Sequence, residues 1–539
     1  MNDWLSHRVR ATPDATALIS AETGERWDYA ALDADVEDLA SRLAGLGFGP
    51  DDHVGMLLST RVSAVHLVHA TMRLGATLVP LNSRLTAGEL ADQLETADLT
   101  GVVCGEGTEQ LAVEAVEADD TTESVPLVSL DDPQWERVAS LDDADRVDVT
   151  PAEWTDDETL VLLFTSGTTG DPKAVVLTYG NVFSSAVASA FHLGVLPDDR
   201  WLVPLSLYHM GGLAPLYRST LYGTTVVLRG GFDPGGTADD IGTYDVTGVS
   251  LVPTMLKRML DSRGTLSDSL RIVLLGGAPA SEDLVTRCRD YHVPVWPTYG
   301  MTETASQIST ARPEEAIDHL GTVGRPLFAT DVTVVDDEDE PVETGEIGEF
   351  VVSGPTVSPG YYDDPEATAA AFGERGLRTG DMGYRDDDGR LYVLNRKDDR
   401  IITGGENVDP GEVVDVLYEH PDVEDAAVVG LPDEEWGERV AALVVASDPE
   451  LTVDDVEAHC RERLAGYKLP RVVRFADVLP RTPSGTVERA AVRDELTTPE
   501  RVDVADAEAE AEATVETDAA ADTTMDGTDD ESATGGDSL

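Results

Sequence analysis

At 539 residues and 41% hydrophobic content, the chain is too long for one core, which seldom grows past about 250–300 residues, and rich enough to fill two. A formal charge of −66, from 104 acids against 38 bases, argues against nucleic acid or an anionic membrane as partner. Three scattered cysteines, Cys104, Cys288 and Cys460, with no CxxC spacing, argue against a disulfide framework and a zinc site.

Such self-repulsion is tolerable where salt shortens the screening length to a few ångströms, at about 1 M or above. The composition therefore reads as that of a protein from a salt-accumulating halophile. The N-terminal MNDWLSHRVR lacks the apolar core of a signal peptide. No run approaches the ~20 apolar residues of a membrane span, so a cytoplasmic location is expected. Only four lysines are present, Lys173, Lys257, Lys397 and Lys468, and each invites a reason for its retention.

In chain order, the first 150 residues read as a doubly wound α/β layer. Hydrophobic periodicity predicts a helix over 33–46, a strand over 53–58, a helix over 63–74 and a strand over 76–81. Residues 105–158 are acidic and read as an irregular surface segment. A short apolar run, 160–164, then reads as a buried strand and leads into FTSGTTGDPK, residues 164–173. Gly167 and Gly170 allow close backbone approach to an anion, Thr165, Ser166, Thr168 and Thr169 offer hydroxyl donors, and Lys173 adds charge. These are the properties of a phosphate loop, although the GxxxxGK[ST] spacing is absent.

A helix is expected over 181–193 and a strand over 201–205, running into LYHMGG with His209 before two glycines. Strand and helix alternate through 225–228, 249–252, 254–260 and 272–275. The last of these strands ends in Gly276, Gly277 and Ala278, where a flat ring could lie against backbone. A strand over 293–296 leads into TYGMTETASQ, which clusters Tyr299, Thr302 and Glu303. A carboxylate beside bound phosphates suits Mg²⁺, which takes one or two carboxylates plus phosphate oxygens.

From 331 onward, short strands and glycine turns read as a small β-rich subdomain. Asp381 stands in a glycine-flanked turn, where a carboxylate could accept both hydroxyls of a ribose. Arg396 follows in NRKDDRIITGGEN. We place a large N-terminal domain at 1–397 and a small α+β C-terminal domain at 398–495, with helices over 412–419 and 453–464. Thr452 is the expected N-cap of the second helix. A disordered acidic tail is expected over 496–539; its residues 500–539 hold 14 acids, one base and no aromatic residue.

Seven strings carry a resemblance: FTSGTTGDPK, LYHMGG, LLGGAP, TYGMTET, RTGDMGY, NRKDDRIITGGENVDPGEV and LPRTPSGTVER. In this order, over roughly residues 4–495, the chain resembles the adenylate-forming superfamily of acyl-CoA ligases, luciferases and peptide-synthetase adenylation domains. No carrier domain follows, which speaks against a peptide synthetase. The resemblance implies ATP, Mg²⁺ and CoA as reactants and cofactors, a small carboxylic acid as substrate, and a mobile C-terminal domain. By the same resemblance, Thr165 to Lys173 hold phosphates, Glu303 holds Mg²⁺ and Thr302 lies near the α-phosphate. Gly276 to Ala278 and Tyr299 flank adenine, Asp381 and Arg396 bind ribose, and Asp398 is the hinge. His209 stands between acyl pocket and thiol entry, and Gly404, Gly405 and Asn407 belong to the loop of the thiol channel.

One position departs from this pattern. The family's PxTxSGK lysine, which approaches the α-phosphate, is here Thr486, and a hydroxyl is no counter-charge. Adenylation could be slow, Arg481 or Arg489 could substitute, or high salt could make the charge less decisive. A non-catalytic, ATP-binding homologue also stays open. TETASQIST and LGTVGRPL resemble the o-succinylbenzoate:CoA ligases of menaquinone synthesis, with medium-chain or aryl acid ligases as the alternative. For the second carboxylate of such a diacid, His209, Arg218, Ser306 and Gln307 are the candidates.

Overall fold

A computed structural model describes residues 2–498 except 120, 166–172, 400, 404–405, 409, 434–435 and 482–486. Two large α/β sheets, a small antiparallel sheet and a C-terminal α+β unit build it, as the sequence pattern implies.

The seven-stranded sheet runs from Val138–Ser140 at one edge through Leu127–Ser129, Gly101–Cys104, His53–Met56 and Thr77–Pro80 to Thr159–Thr165 and Lys173–Thr178. All pairs are parallel except the last, a hairpin in which Thr165 pairs with Lys173. The expected strands and helices of the first hundred residues are present, with Val62–Leu74 buried along most of its length. The stretch 105–158 is not the irregular segment expected. It holds a helix, Glu109–Glu117, and the last two strands at one side of the sheet, whose Leu127, Val128 and Val138 are buried in the core. Its acids lie between short apolar triplets too brief to show a period.

The nine-stranded sheet has a parallel centre of Val295–Tyr299, Ile272–Leu275, Gly248–Leu251, Arg200–Val203, Thr225–Leu228 and Thr16–Ser20. Thr16–Ser20 thus leaves the N-terminal layer to which the sequence assigned it and pairs with a strand some 200 residues away. The small sheet joins Asp331–Val335, Gly348–Ser353, Gly376–Arg385 and Leu391–Arg396 antiparallel, with Asp381 opposite Arg396. In the C-terminal unit the long hairpin Val423–Asp433 and Gly437–Ala446 is flanked by Val453–Arg463, which Thr452 caps through a reciprocal capping box. A helix not anticipated, Arg489–Thr497, packs Val492 and Leu496 on the same hairpin. Among the described residues no helix is long and apolar enough to cross a membrane.

One helix ties these layers together. Tyr179–Leu193 starts immediately after the Lys173–Thr178 strand, with Thr178 and Asn181 capping each other. The Asn181 amide also donates to the carbonyls of Pro355 (2.9 Å) and Val357 (2.8 Å), and Ser185 Oγ donates to Ala305 O at 2.8 Å. Asn181→Ala removes both cross-links and half of the cap. It should cost about 1–3 kcal/mol, read as a lowered thermal midpoint.

Candidate functional site

The last parallel strand of the nine-stranded sheet ends beside the Lys173–Thr178 strand and the small sheet. At the end of Ile272–Leu275, Gly276 lies so close to the next strand that a Cβ would stand 2.7 Å from Thr298 Cγ2, and Gly277 takes φ +79°. Ala278 follows, half-buried. The Val295–Tyr299 strand then turns sharply. A Cβ on Gly300 would lie 1.7 Å from Ser306 O, so only glycine lets the chain fold back here. The turn Thr302–Thr304 is followed by Ala305 at φ +52° and Ser306 at φ +124°, left-handed conformations held by the bond from Ser185. Strain of this kind costs on the order of 1–3 kcal/mol per residue and persists where surrounding contacts over-determine it.

The turn carries Glu303 inward, 6% exposed, with Thr302 half-buried beside it. Tyr361 Oη donates to Glu303 Oε1 at 3.1 Å, and the Lys173 ammonium lies 5.2 Å from the centre of the Tyr361 ring. Tyr299 Oη donates to Asp381 Oδ2 at 2.6 Å, and Arg396 Nη1 meets Asp381 Oδ1 at 3.2 Å. Thr165, Lys173, Tyr299, Glu303, Asp381 and Arg396, drawn from three sheets, therefore converge.

Burial raises the pKa of Glu303, opposed by Tyr361 and Arg396 and reinforced by the charge of Asp381. Burial likewise raises Asp381 against the pull of Arg396 and Tyr299. Burial and the neighbouring carboxylates push both phenols up, so they act as donors. Of the two buried acids, only Asp381 is paired directly with a guanidinium among the described residues; the Lys173 ammonium lies over the ring of Tyr361, whose hydroxyl donates to Glu303. Among the described residues no group of three or more His, Cys, Asp or Glu could hold a metal by itself. Glu303 fits a hard cation that brings its other oxygen ligands on a bound phosphate.

His209 precedes the Met210–Tyr222 helix, which the sequence reading missed because Pro215 and two glycines obscure its period. Its ring is 4.7 Å from that of Tyr208; its edge reaches solvent, yet crowding on the other sides, with the charge of Arg84, lowers its pKa. The same helix carries Arg218, 6% exposed, whose Nη1 donates to Gln307 Oε1 and to Ser189 Oγ, both at 3.0 Å. Its guanidinium lies 5.7 Å from the Trp201 ring centre. No carboxylate among the described residues pairs with it, and burial lowers its pKa. Of the four residues considered for a second carboxylate, Arg218 and Gln307 are thus in contact, and Ser306 precedes Gln307 in the strained turn.

Ser166, Gly167, Thr168, Thr169, Gly170, Gly404, Gly405 and Thr486 lie outside the described residues, as do the side chains of Asp398 and Asn407. The two arginines considered as substitutes for a lysine at 486 are engaged: Arg481 with Asp425 at 2.8 Å and Arg489 with Asp399 at 3.0 Å. Tyr361 was not anticipated. It lies 58 residues from Glu303, and nothing in SPGYY marks it apart from a turn before two aromatics.

Gly300→Ala must open the 300–306 turn. A loss of roughly 1–3 kcal/mol or more is expected in denaturation, together with loss of nucleotide affinity in a binding titration.

Comparison with known proteins adds an independent line. A family model described as AMP-binding enzyme matches residues 5–362, and one described as AMP-binding enzyme C-terminal domain matches residues 412–486. The chain is 39% identical over 491 residues to the 2-succinylbenzoate–CoA ligase of Bacillus pumilus, covering 90% of this chain and 96% of that one. It is similar in structure to the o-succinylbenzoate CoA synthetase of Bacillus subtilis in complex with the acyl-adenylate intermediate OSB-AMP. That match has 36% identity and a TM-score of 0.82, over 93% of this chain and 99% of the other. For the complex of that enzyme with ATP and magnesium ion the TM-score is 0.81 at 36% identity, over 92% and 100%. For a double mutant bound to the product analogue OSB-NCoA it is 0.69 at 36% identity, over 92% and 98%.

Proposed function

We propose, from the premise that the chain belongs to the AMP-binding enzyme family, that it is an AMP-forming acid–thiol ligase converting 2-succinylbenzoate to its CoA thioester. In the first step a carboxylate oxygen attacks the α-phosphorus of ATP and pyrophosphate leaves. In the second the CoA thiol attacks the acyl carbon and AMP leaves with the P–O–C oxygen.

The first step brings anion to anion, so preorganised positive charge and donors must offset the repulsion. Lys173 and the hydroxyls of the 165–170 loop take the phosphates in this reading, and Thr302 lies near the α-phosphate. Mg²⁺, bound through Glu303 and phosphate oxygens, would supply charge neutralisation. Gly276 to Ala278 present backbone to adenine beside Tyr299, while Asp381, steadied by Arg396, accepts from the ribose. His209 stands at the junction of acyl pocket and thiol entry.

The observation that carries the choice of acid is Arg218, a buried guanidinium with amide and hydroxyl neighbours but no carboxylate partner among the described residues. A diacid activated at one carboxylate needs a seat for the other, and arginine is suited to bind it bidentately. Arg218→Met should lower kcat/KM for 2-succinylbenzoate by about a hundredfold or more, and change that for 4-oxo-4-phenylbutanoate, which lacks the ring carboxylate, far less.

Asp398 is the proposed hinge between domains at 1–397 and 398–495. Lys397, just before it, is anchored to Glu349 at 3.1 Å. The drop in TM-score from 0.81 to 0.69 between two states of one relative, at equal identity, supports such a rearrangement. Gly404, Gly405 and Asn407 would then serve the second step. A cytoplasmic location, and an acidic tail that starts after the Arg489–Thr497 helix, not at 496 as expected, and keeps the chain solvated, complete the proposal.

Pyrophosphate release in about 2–3 M KCl, a range set by screening, with ATP, Mg²⁺ and a panel of acids tests the reading. Release with 2-succinylbenzoate, increased by CoA, is expected; release with another acid alone discards the substrate, and ATP binding without release with any acid discards the enzyme. With Arg481 and Arg489 both engaged, Thr486→Lys should raise the adenylation rate and leave thioester formation from supplied acyl-adenylate nearly unchanged. An unaltered adenylation rate would show that no counter-charge is missing.

A further inference from the structure

We propose that Tyr361 is a positioning residue for adenylation: its hydroxyl fixes the Glu303 carboxylate and its ring face fixes the Lys173 ammonium, so that metal and phosphate sites are set as one unit. This role rests on the adenylate-forming reading above.

The backbone around Tyr361 is fastened on both sides. Residues 360–362 run beside the Lys173–Thr178 strand, with Val176 N donating to Gly360 O at 3.0 Å and Tyr362 N to Ala174 O at 2.8 Å. Val175 pairs with Tyr361 as an isolated antiparallel bridge. The Tyr361 N–H donates to Thr368 Oγ1 at 3.0 Å. Gly360, at φ +144°, packs so tightly on Thr368 that a Cβ would lie 2.5 Å from its Cγ2. Two residues earlier, Ser358 N donates to Glu303 O at 2.8 Å and Ser358 Oγ to Val176 O at 2.7 Å, stitching the segment to the Glu303 turn and to the hairpin together.

From this fixed base the side chain reaches both functional groups. With Oε1 of Glu303 occupied by the phenol at 3.1 Å, the carboxylate is oriented and Oε2 is left for a cation. The Lys173 ammonium, 5.2 Å from the ring centre, gains from the ring quadrupole and is restrained although the lysine stem is flexible. Burial and the Glu303 charge keep the phenol protonated, so Tyr361 donates and exchanges no proton with substrate. It acts through its two neighbours.

The two contacts are separable by mutation. Tyr361→Phe removes the hydroxyl and keeps the ring; Tyr361→Leu removes both. ATP affinity measured by calorimetry in excess EDTA and again in excess Mg²⁺ reads each contact apart from turnover. For Tyr361→Phe the tightening of ATP binding by Mg²⁺ should shrink by about tenfold, the usual scale for losing an orienting partner. Its affinity in EDTA should stay within about twofold of wild type, since the ring still faces Lys173. Tyr361→Leu should weaken binding in EDTA as well. An unchanged Mg²⁺ enhancement in Tyr361→Phe, or equal losses in EDTA and in Mg²⁺, would overturn the role. If wild type bound no ATP under either condition, the adenylate-forming reading itself would fall, and this one with it.

Discussion

A carboxylate taken out of water requires donors or a cation, and this molecule buries two of them, Glu303 and Asp381, within reach of each other's charge. Among the described residues Asp3, Glu109, Asp199 and Glu349 are buried as well, but arginine, lysine or backbone N–H donors meet each of them. Salt does not reach the buried pair. Their needs are met by fixed groups: the phenols of Tyr361 and Tyr299, and the guanidinium of Arg396. The Lys173 ammonium over the Tyr361 ring adds a second positive charge, and in the proposed reaction a hard cation at Glu303 would add more.

That demand explains why the site sits where three sheets meet. No single sheet could bring two carboxylates, two phenols, a lysine and an arginine to one place without burying charge in its own core. Each layer instead contributes from an end or an edge. The Tyr179–Leu193 helix braces the junction, because Asn181 and Ser185, one turn apart on its surface, hold the 355–357 segment and the 300–306 turn. The left-handed Ala305 and Ser306 are therefore strained against a fixed support and keep Glu303 aimed inward.

The C-terminal unit is held differently. Lys257 meets Glu424 at 3.1 Å, both about half exposed. Exposed pairs of this kind contribute about 0–1 kcal/mol each and weaken in salt. Such contacts are suited to an arrangement that the proposed two-step reaction must remake in every cycle. Their weakness contrasts with the hydrogen-bonded stitching of the adenylation site, whose geometry has to persist.

The amino-acid sequence by itself determined the α/β class, the glycines that end the 272–275 strand, the carboxylates at 303 and 381 as candidates for one site, and the capped helix after Thr452. All are local: a period, a turn residue or a cap acts within a few positions. It also placed Arg218 and Gln307 among residues for one pocket. Only the tertiary structure decided that Arg218 is buried without a carboxylate partner among the described residues, that Thr16–Ser20 belongs to the second sheet, and that 105–158 completes the first. Tyr361 is the clearest instance. Its meaning depends on a strand pairing to Val175 across 186 positions and on a hydrogen bond across 58, and contacts at that separation leave no periodic trace in the chain.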